Sequence, residues 1–161
     1  MHALMPITPF HFGPGAAIHA AAPRYVSFLA FCATNILMDV EPLYYILTQQ
    51  YPLHRFFHTY IGASIVAAAT VGLFEAGRRV VGKIPRLRAV ALGATLGAFS
   101  HVFLDSIMHR DIKPFAPFSG ANPLLGAISL SALHWSCLIS GVVGALTVAW
   151  SAQRTPSSHA S

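Results

Sequence analysis

The sequence predicts an all-α integral membrane protein, with an N-terminal re-entrant helical hairpin followed by three transmembrane helices in one bundle. Composition is the first reason: 55% of the 161 residues are hydrophobic and 9% charged, whereas soluble domains carry about 25% charged residues. The second is pattern, because apolar runs approaching the roughly 20 residues that a bilayer requires recur between short polar stretches. The third is that Lys and Arg fall outside those runs, as loop anchors do. One domain is expected at this length, over residues 1–151, with 152–161 a short polar disordered tail. Basic and aromatic residues are not interleaved, so nucleic acid is not an expected partner. The N-terminus lacks the basic n-region of a signal peptide, and insertion is expected to depend on the internal helices.

Taken in order, Thr8 as N-cap and Pro9 at the first helical position start a helix that runs to about Ala22, too short to span. Pro23-Arg24 breaks it, and Tyr25 to Met38 resumes as an apolar helix ending at Asp39-Val40-Glu41-Pro42. A hairpin that dips into the membrane and returns brings His11 and Asp39 to the same side. The first full span reads from Phe56 to Ala76, behind a polar entrance in which His54 and His58 stand four apart. Arg78, Arg79, Lys83, Arg86 and Arg88 make the next connection a basic loop. A second span, apolar from Ala89, closes in Ser100 to Met108. Asp111 to Asn122, with Pro114 and Pro117 inside it, must be a loop. Leu124 to Trp150 is the last span, with Trp150 at the interface. Cys32 and Cys137 lie in apolar runs on different helices and read as packing residues.

Candidate chemistry starts at His101. His101, Asp105 and His109 are four apart and form one polar ridge on a helix, continued by Gly97 and Gly93. An imidazole and a carboxylate one turn apart can share a divalent cation; they can equally hydrogen-bond each other. Asp39 ends a helix, where a cation beside it would offset the unfavourable dipole. Glu41 is open between general base, ligand and solvated loop acid. His58 is read as a ligand ahead of His54, which orients a carboxylate or meets substrate. His11 joins the ligands if the hairpin forms. Arg55 and Arg110 flank the cluster as phosphate clamps or snorkel to headgroups. His19 and His134 read as packing histidines, and His2 and His159 as tail residues.

Charge then sorts the two membrane faces. Arg24, the basic loop and Arg154 fall on one face, and Arg55, Arg110 and Lys113 on the other, so the first face is expected to be cytoplasmic. Asp39, Glu41, Asp105 and Asp111 gather on the second face with His11, His54, His58, His101 and His109. Ionisable groups in a bilayer cost a few kcal/mol, so such a gathering is read as functional.

Met38-Asp39-Val40-Glu41-Pro42, the His54-to-Thr59 entrance, and Gly97-Ala98-Phe99-Ser100-His101-Val102-Phe103-Leu104-Asp105 followed by Lys113-Pro114-Phe115 resemble the bacterial inner-membrane metal-dependent hydrolases of the LexA-regulated type. The resemblance covers roughly His11 to Pro117. It departs from that family's pattern at the histidines, four rather than five apart, and at Asp39-x-Glu41 in place of DxD. It implies a multi-pass inner-membrane protein and, through that family's distant similarity to zinc-dependent phospholipase C and single-strand nucleases, phosphoester chemistry.

The expected mechanism is metal-assisted hydrolysis. Ligands would come from His11, Asp39, His58, His101 and Asp105, and Glu41 or Asp39 would take the proton, with His54 and Arg55 assisting. Zinc suits the mixed donor set, with manganese or iron compatible. A centre at the bilayer edge points to a lipid or lipid-linked phosphoester. The rival readings are an ion or proton transporter and a haem-binding bundle.

Overall fold

The computed structural model describes residues 9–81 and 85–154, which form five helices and no strand. They are α1 (Pro9–Ala21), α2 (Phe28–Leu47), α3 (Tyr60–Val81), α4 (Leu87–Met108) and α5 (Leu130–Arg154). The chain is an all-helical membrane protein: α3, α4 and α5 are each long and apolar enough to cross a bilayer. Their outward side chains agree, with Ile65, Leu73, Leu92, Phe99, Leu138, Val142 and Leu146 all exposed.

The bundle is built around α4, which is buried along one face from Ala89 to Ile107. Small residues let its neighbours approach closely, as membrane helices require in the absence of a hydrophobic drive between them. A Cβ on Gly93 would run into the Ser27 carbonyl, and one on Gly97 would stand 2.8 Å from the Phe31 carbonyl oxygen. On the other side, Ala63, Val66 and Ala67 of α3 pack with Ala94, Ala98 and Val102 of α4 around Met38. Helices α1 and α2 form the hairpin. Its turn lies beside the first turn of α4, where the Ser27 N–H donates to the Ala89 carbonyl at 2.9 Å. Helix α5 lies against α1, with Gly13 tight on the Cys137 carbonyl and Gly144 on the backbone of Ala16 and Ala17.

Several expected boundaries move. Helix α2 does not stop before Pro42 but carries it inside and continues to Leu47, so Asp39 lies within the helix and not at its dipole end. Glu41 is therefore helical and buried, held there by bonds to the next connection that outweigh the aversion of a pre-proline residue to helix. Helix α3 starts at Tyr60 rather than Phe56, because the Thr59 hydroxyl caps it by accepting from the Gly62 N–H at 2.9 Å. His54 and His58 thus sit in an irregular connection, not on a helix face. Arg78, Arg79 and Arg88 belong to helices, which shortens the basic loop. Leu124 to Ser129 is a turn ahead of α5, and α5 runs on through 152–154 of the expected tail. The Thr8 cap, Lys83 and residues 155–161 lie outside the described residues.

Candidate metal centre

The polar residues meet at one end of the bundle. His101 and Asp105 come from α4, Asn35, Asp39 and Glu41 from α2, His11 from α1, and His54 and His58 from the 50–59 connection. His109 and Asp111 follow α4. Asp105 lies three residues and His101 seven from the end of α4, hence about 5 and 10 Å inside it at 1.5 Å per residue. Asp39, His109 and Asp111 are partly exposed, and the other groups that line the centre are buried: His58 and His101 are 0% exposed, and His11 and Asp105 3%.

Three imidazoles are oriented in the same way. The Asn35 side-chain N–H donates to the Phe31 carbonyl at 2.9 Å, which leaves its oxygen to accept from His101 Nδ1–H at 3.0 Å. Glu41 Oε2 accepts from His58 Nδ1–H at 3.1 Å, and Asp111 Oδ1 from His54 Nδ1–H at 3.0 Å. An oxygen acceptor at the outer nitrogen puts a ring proton there, and a neutral ring then presents its Nε2 lone pair inward; His101 Nδ1 also lies 3.0 Å from His11 Nδ1. All three lone pairs face one atom: Asp105 Oδ2 lies 3.3 Å from His101 Nε2, 3.7 Å from His58 Nε2 and 4.0 Å from His54 Nε2. Asp39 Oδ1 adds a second oxygen 3.4 Å from His101 Nε2. His58 Nε2 and His101 Nε2 are buried and have no hydrogen-bond partner.

Lone pairs aimed at a carboxylate repel unless a positive charge stands between them. That charge is a second ring proton or a cation. Two donors about 2.1 Å from one tetrahedral ion stand about 3.4 Å apart, and the inner separations bracket that value. Three overlapping groups lie within ligand range: His11, His101 and Asp105; Asp39, His58 and His101; and His54, Asp105 and His109. His11 approaches Asp105 from the other side, its Nε2 3.2 Å from Oδ1.

Burial holds His58 below the ordinary imidazole value despite the opposing bond from Glu41. It lowers His109 too, against the charge of Asp105. Burial pushes Asp111 up, but the His54 ring and the backbone N–H groups of His54 and Leu53 outweigh it and keep the acid well below the usual carboxylate range.

The expected ligands His11, Asp39, His58, His101 and Asp105 are therefore brought together, and His54 joins them. Glu41 does not swing free. Its Oε2 also accepts from the Arg55 N–H at 3.1 Å, and its Oε1 from the Phe57 N–H at 3.2 Å. The Arg55 guanidinium lies 3.7 Å over the Tyr45 ring and donates to the Pro52 carbonyl at 3.0 Å. His19 is satisfied by the Val26 carbonyl at 2.7 Å, and His134 stacks on Phe10 and belongs to none of the three ligand groups. One contributor, Asn35, was not singled out from sequence, whereas His109 and Asp111 were expected on this face though not with these contacts. Asn35 stands one turn before Asp39 on α2, a spacing that was legible. His109 leaves the helical ridge with φ −110° and ψ 126°, yet its ring stacks on His54 with centroids 4.4 Å apart. Asp111 is placed by long-range folding alone. Compared with known protein families, with curated proteins and with solved structures, the chain matches none.

Proposed function

We propose that this chain is a membrane-embedded, metal-dependent hydrolase of a lipid or lipid-linked phosphoester. What supports the reading is the convergence of the His54, His58 and His101 lone pairs on Asp105 Oδ2, each ring fixed from behind by an oxygen acceptor. That outer bond fixes the tautomer and orientation that a metal-binding histidine needs. His58, His101, Asp105 and Asp39 would hold the ion, and His11, His54 and His109 border it. Zinc suits this donor set, and manganese or iron is compatible with it. A cation bound there supplies Lewis-acid polarisation of a phosphoryl oxygen and acidifies water.

The chain's own groups divide the remaining work. Asp39, with a side chain 30% exposed, is the cluster's most accessible carboxylate, and so the better placed to take a proton from incoming water. Glu41 has both oxygens engaged and acts instead as the support of His58. A cavity of about 370 Å³ beside the centre is bordered by His54, Asp111, Arg55, Lys113 and Phe56. Its two cations suit a phosphate, and its aromatic rim at interfacial depth suits a lipid.

The rival readings fit less well. Next to the cluster the core is Met38, Ala63, Val66, Ala94, Ala98 and Val102. The buried Thr34 and Thr70 hydroxyls beyond it bond each other and the carbonyls of Ala30 and Val66. No continuous polar path for an ion runs through the described residues. The rings of His11, His58 and His101 lie 4.4 to 5.2 Å apart, leaving no gap for a haem between them.

The test is elemental analysis of the purified full chain, followed by a panel of phosphatidic acid, polyprenyl phosphate and a chromogenic phosphodiester. Bound metal and hydrolysis should both be lost in His101→Ala and Asp105→Ala and kept in His134→Ala. Full metal in either of the first two variants would overturn the centre. A metal-loaded protein inert on the whole panel would overturn the hydrolase and leave the centre standing.

A further inference from the structure

The opposite end of the bundle holds a different charge arrangement. Arg24 lies in the turn between α1 and α2, and Arg86 is the N-cap residue of α4. Both border two adjoining cavities of about 300 and 360 Å³. The floor of the smaller includes Pro23, Val26, Phe28 and Ala89, and Leu29 at its rim is 64% exposed. Tyr25, next to Arg24, is 68% exposed. Two guanidinium groups around one space repel each other, and no carboxylate among the described residues pairs with either. The nearest acid in sequence on this end, Glu75, is bonded to Arg78 at 3.2 Å. Helix α4 also begins here without a side-chain cap, so its positive dipole end adds to the same field.

We infer that this cleft binds the phosphate of an anionic phospholipid. Guanidinium groups recognise phosphate oxygens by paired N–H bonds, and basic pockets between transmembrane helices take anionic headgroups. The composition of the walls selects a lipid over a free anion. Phosphate would sit between the arginines, while the apolar floor, Tyr25 and Leu29 face the glycerol and the upper acyl chain. Arg86 and His101 are fifteen residues apart on α4, about 22 Å at helical rise. The lipid is therefore a resident of the far end and not a substrate at the histidines, and the inference does not depend on the hydrolase reading. Its effect follows from what it bridges. One phosphate ties the α1–α2 turn to the start of α4, beside the backbone bond from Ser27 to Ala89.

The experiment is thermal melting of the full chain in neutral detergent doped with phosphatidylglycerol, phosphatidylcholine or inorganic phosphate alone. Half-maximal stabilisation should need about thirtyfold less phosphatidylglycerol than phosphatidylcholine, a preference of the size two interfacial arginines give. Arg24→Gln and Arg86→Gln should each cut the preference to about fivefold, and Arg79→Gln, which removes an exposed charge outside the cleft, should keep it. Equal response to the two lipids in the unaltered chain would overturn the site, a comparison that needs no variant to fold. The same stabilisation by inorganic phosphate alone would overturn the lipid assignment. Equal loss in Arg79→Gln would reduce the effect to diffuse surface charge and overturn the cleft.

Discussion

Replacing Glu41 by Gln separates a supporting carboxylate from a catalytic one. Glu41 accepts three bonds: Oε2 from His58 Nδ1–H and the Arg55 N–H, and Oε1 from the Phe57 N–H. Gln offers one acceptor and one donor. With its oxygen in the place of Oε2, its NH2 faces the Phe57 N–H and leaves a donor without a partner, at a cost of about 1–3 kcal/mol. In the opposite orientation the NH2 faces His58 Nδ1, which can meet it only by giving up its proton. That proton moves to Nε2, and the lone pair aimed at Asp105 is gone. Either outcome loosens or inverts His58, and loss of such an outer partner costs about 10–100-fold in metal affinity. Zinc competition against a chromophoric chelator, on the detergent-solubilised chain, measures it. Unchanged zinc affinity with lost hydrolysis would refute the reasoning and return Glu41 to the role of general base. Unchanged affinity and unchanged activity would remove Glu41 from the site.

Three further outcomes are expected. His58 and His109 are held below their ordinary value by burial, so the unfolded chain takes up those protons first. The stability they contribute to the metal-free protein is then full above about pH 6.5 and lost as pH falls through the lowered folded values. The melting midpoint of EDTA-treated protein should therefore fall less steeply between about pH 7.5 and about pH 5.5 in His109→Gln than in the unaltered chain, and equal slopes would contradict it. Gly93→Ala sets a Cβ against the Ser27 carbonyl and should destabilise by about 1–3 kcal/mol. Gly72→Ala meets nothing within 4 Å and should stabilise by up to about 1 kcal/mol; shifts of the same sign in detergent melting would count against the packing. Reporters fused after Arg154 should read cytoplasmic and those near Ala121 external. The reverse would move the centre to the other compartment without altering its chemistry.

The helices were legible because apolar runs are; their ends were not, because contacts from elsewhere in the chain set them. Glu41 holds the amides of Arg55 and Phe57, so that stretch cannot join α3, and the helix waits for the Thr59 cap. Nothing within residues 51–60 announces this. His101 and Asp105 were legible as a pair because a single helix fixes their relation. His54 and His58 were found for a reason that fails: four apart, they share no helix, yet their rings meet at 4.7 Å because Asp111 and Glu41 pull them from behind. Counting charges at each end of the bundle found the right face where local spacing misassigned the geometry.

Each oriented histidine takes its outer partner from a part of the chain other than its own. His101 of α4 leans on Asn35 of α2, His58 of the connection on Glu41 of α2, and His54 on Asp111 beyond α4. The inner face of the centre thus requires α2, α4 and both loops to be docked before any lone pair is aimed. A cation that binds only this docked arrangement stabilises it by mass action, by about 4 kcal/mol at a thousandfold excess over its dissociation constant. That gain falls on the hairpin, because α2 supplies Asn35, Asp39 and Glu41 within seven residues. Helix α5 supplies none of the groups at the centre and lies against α1, so it gains only through His11. Metal occupancy should accordingly tighten the contact of α2 with α4 and leave the outer face of α5 as it is.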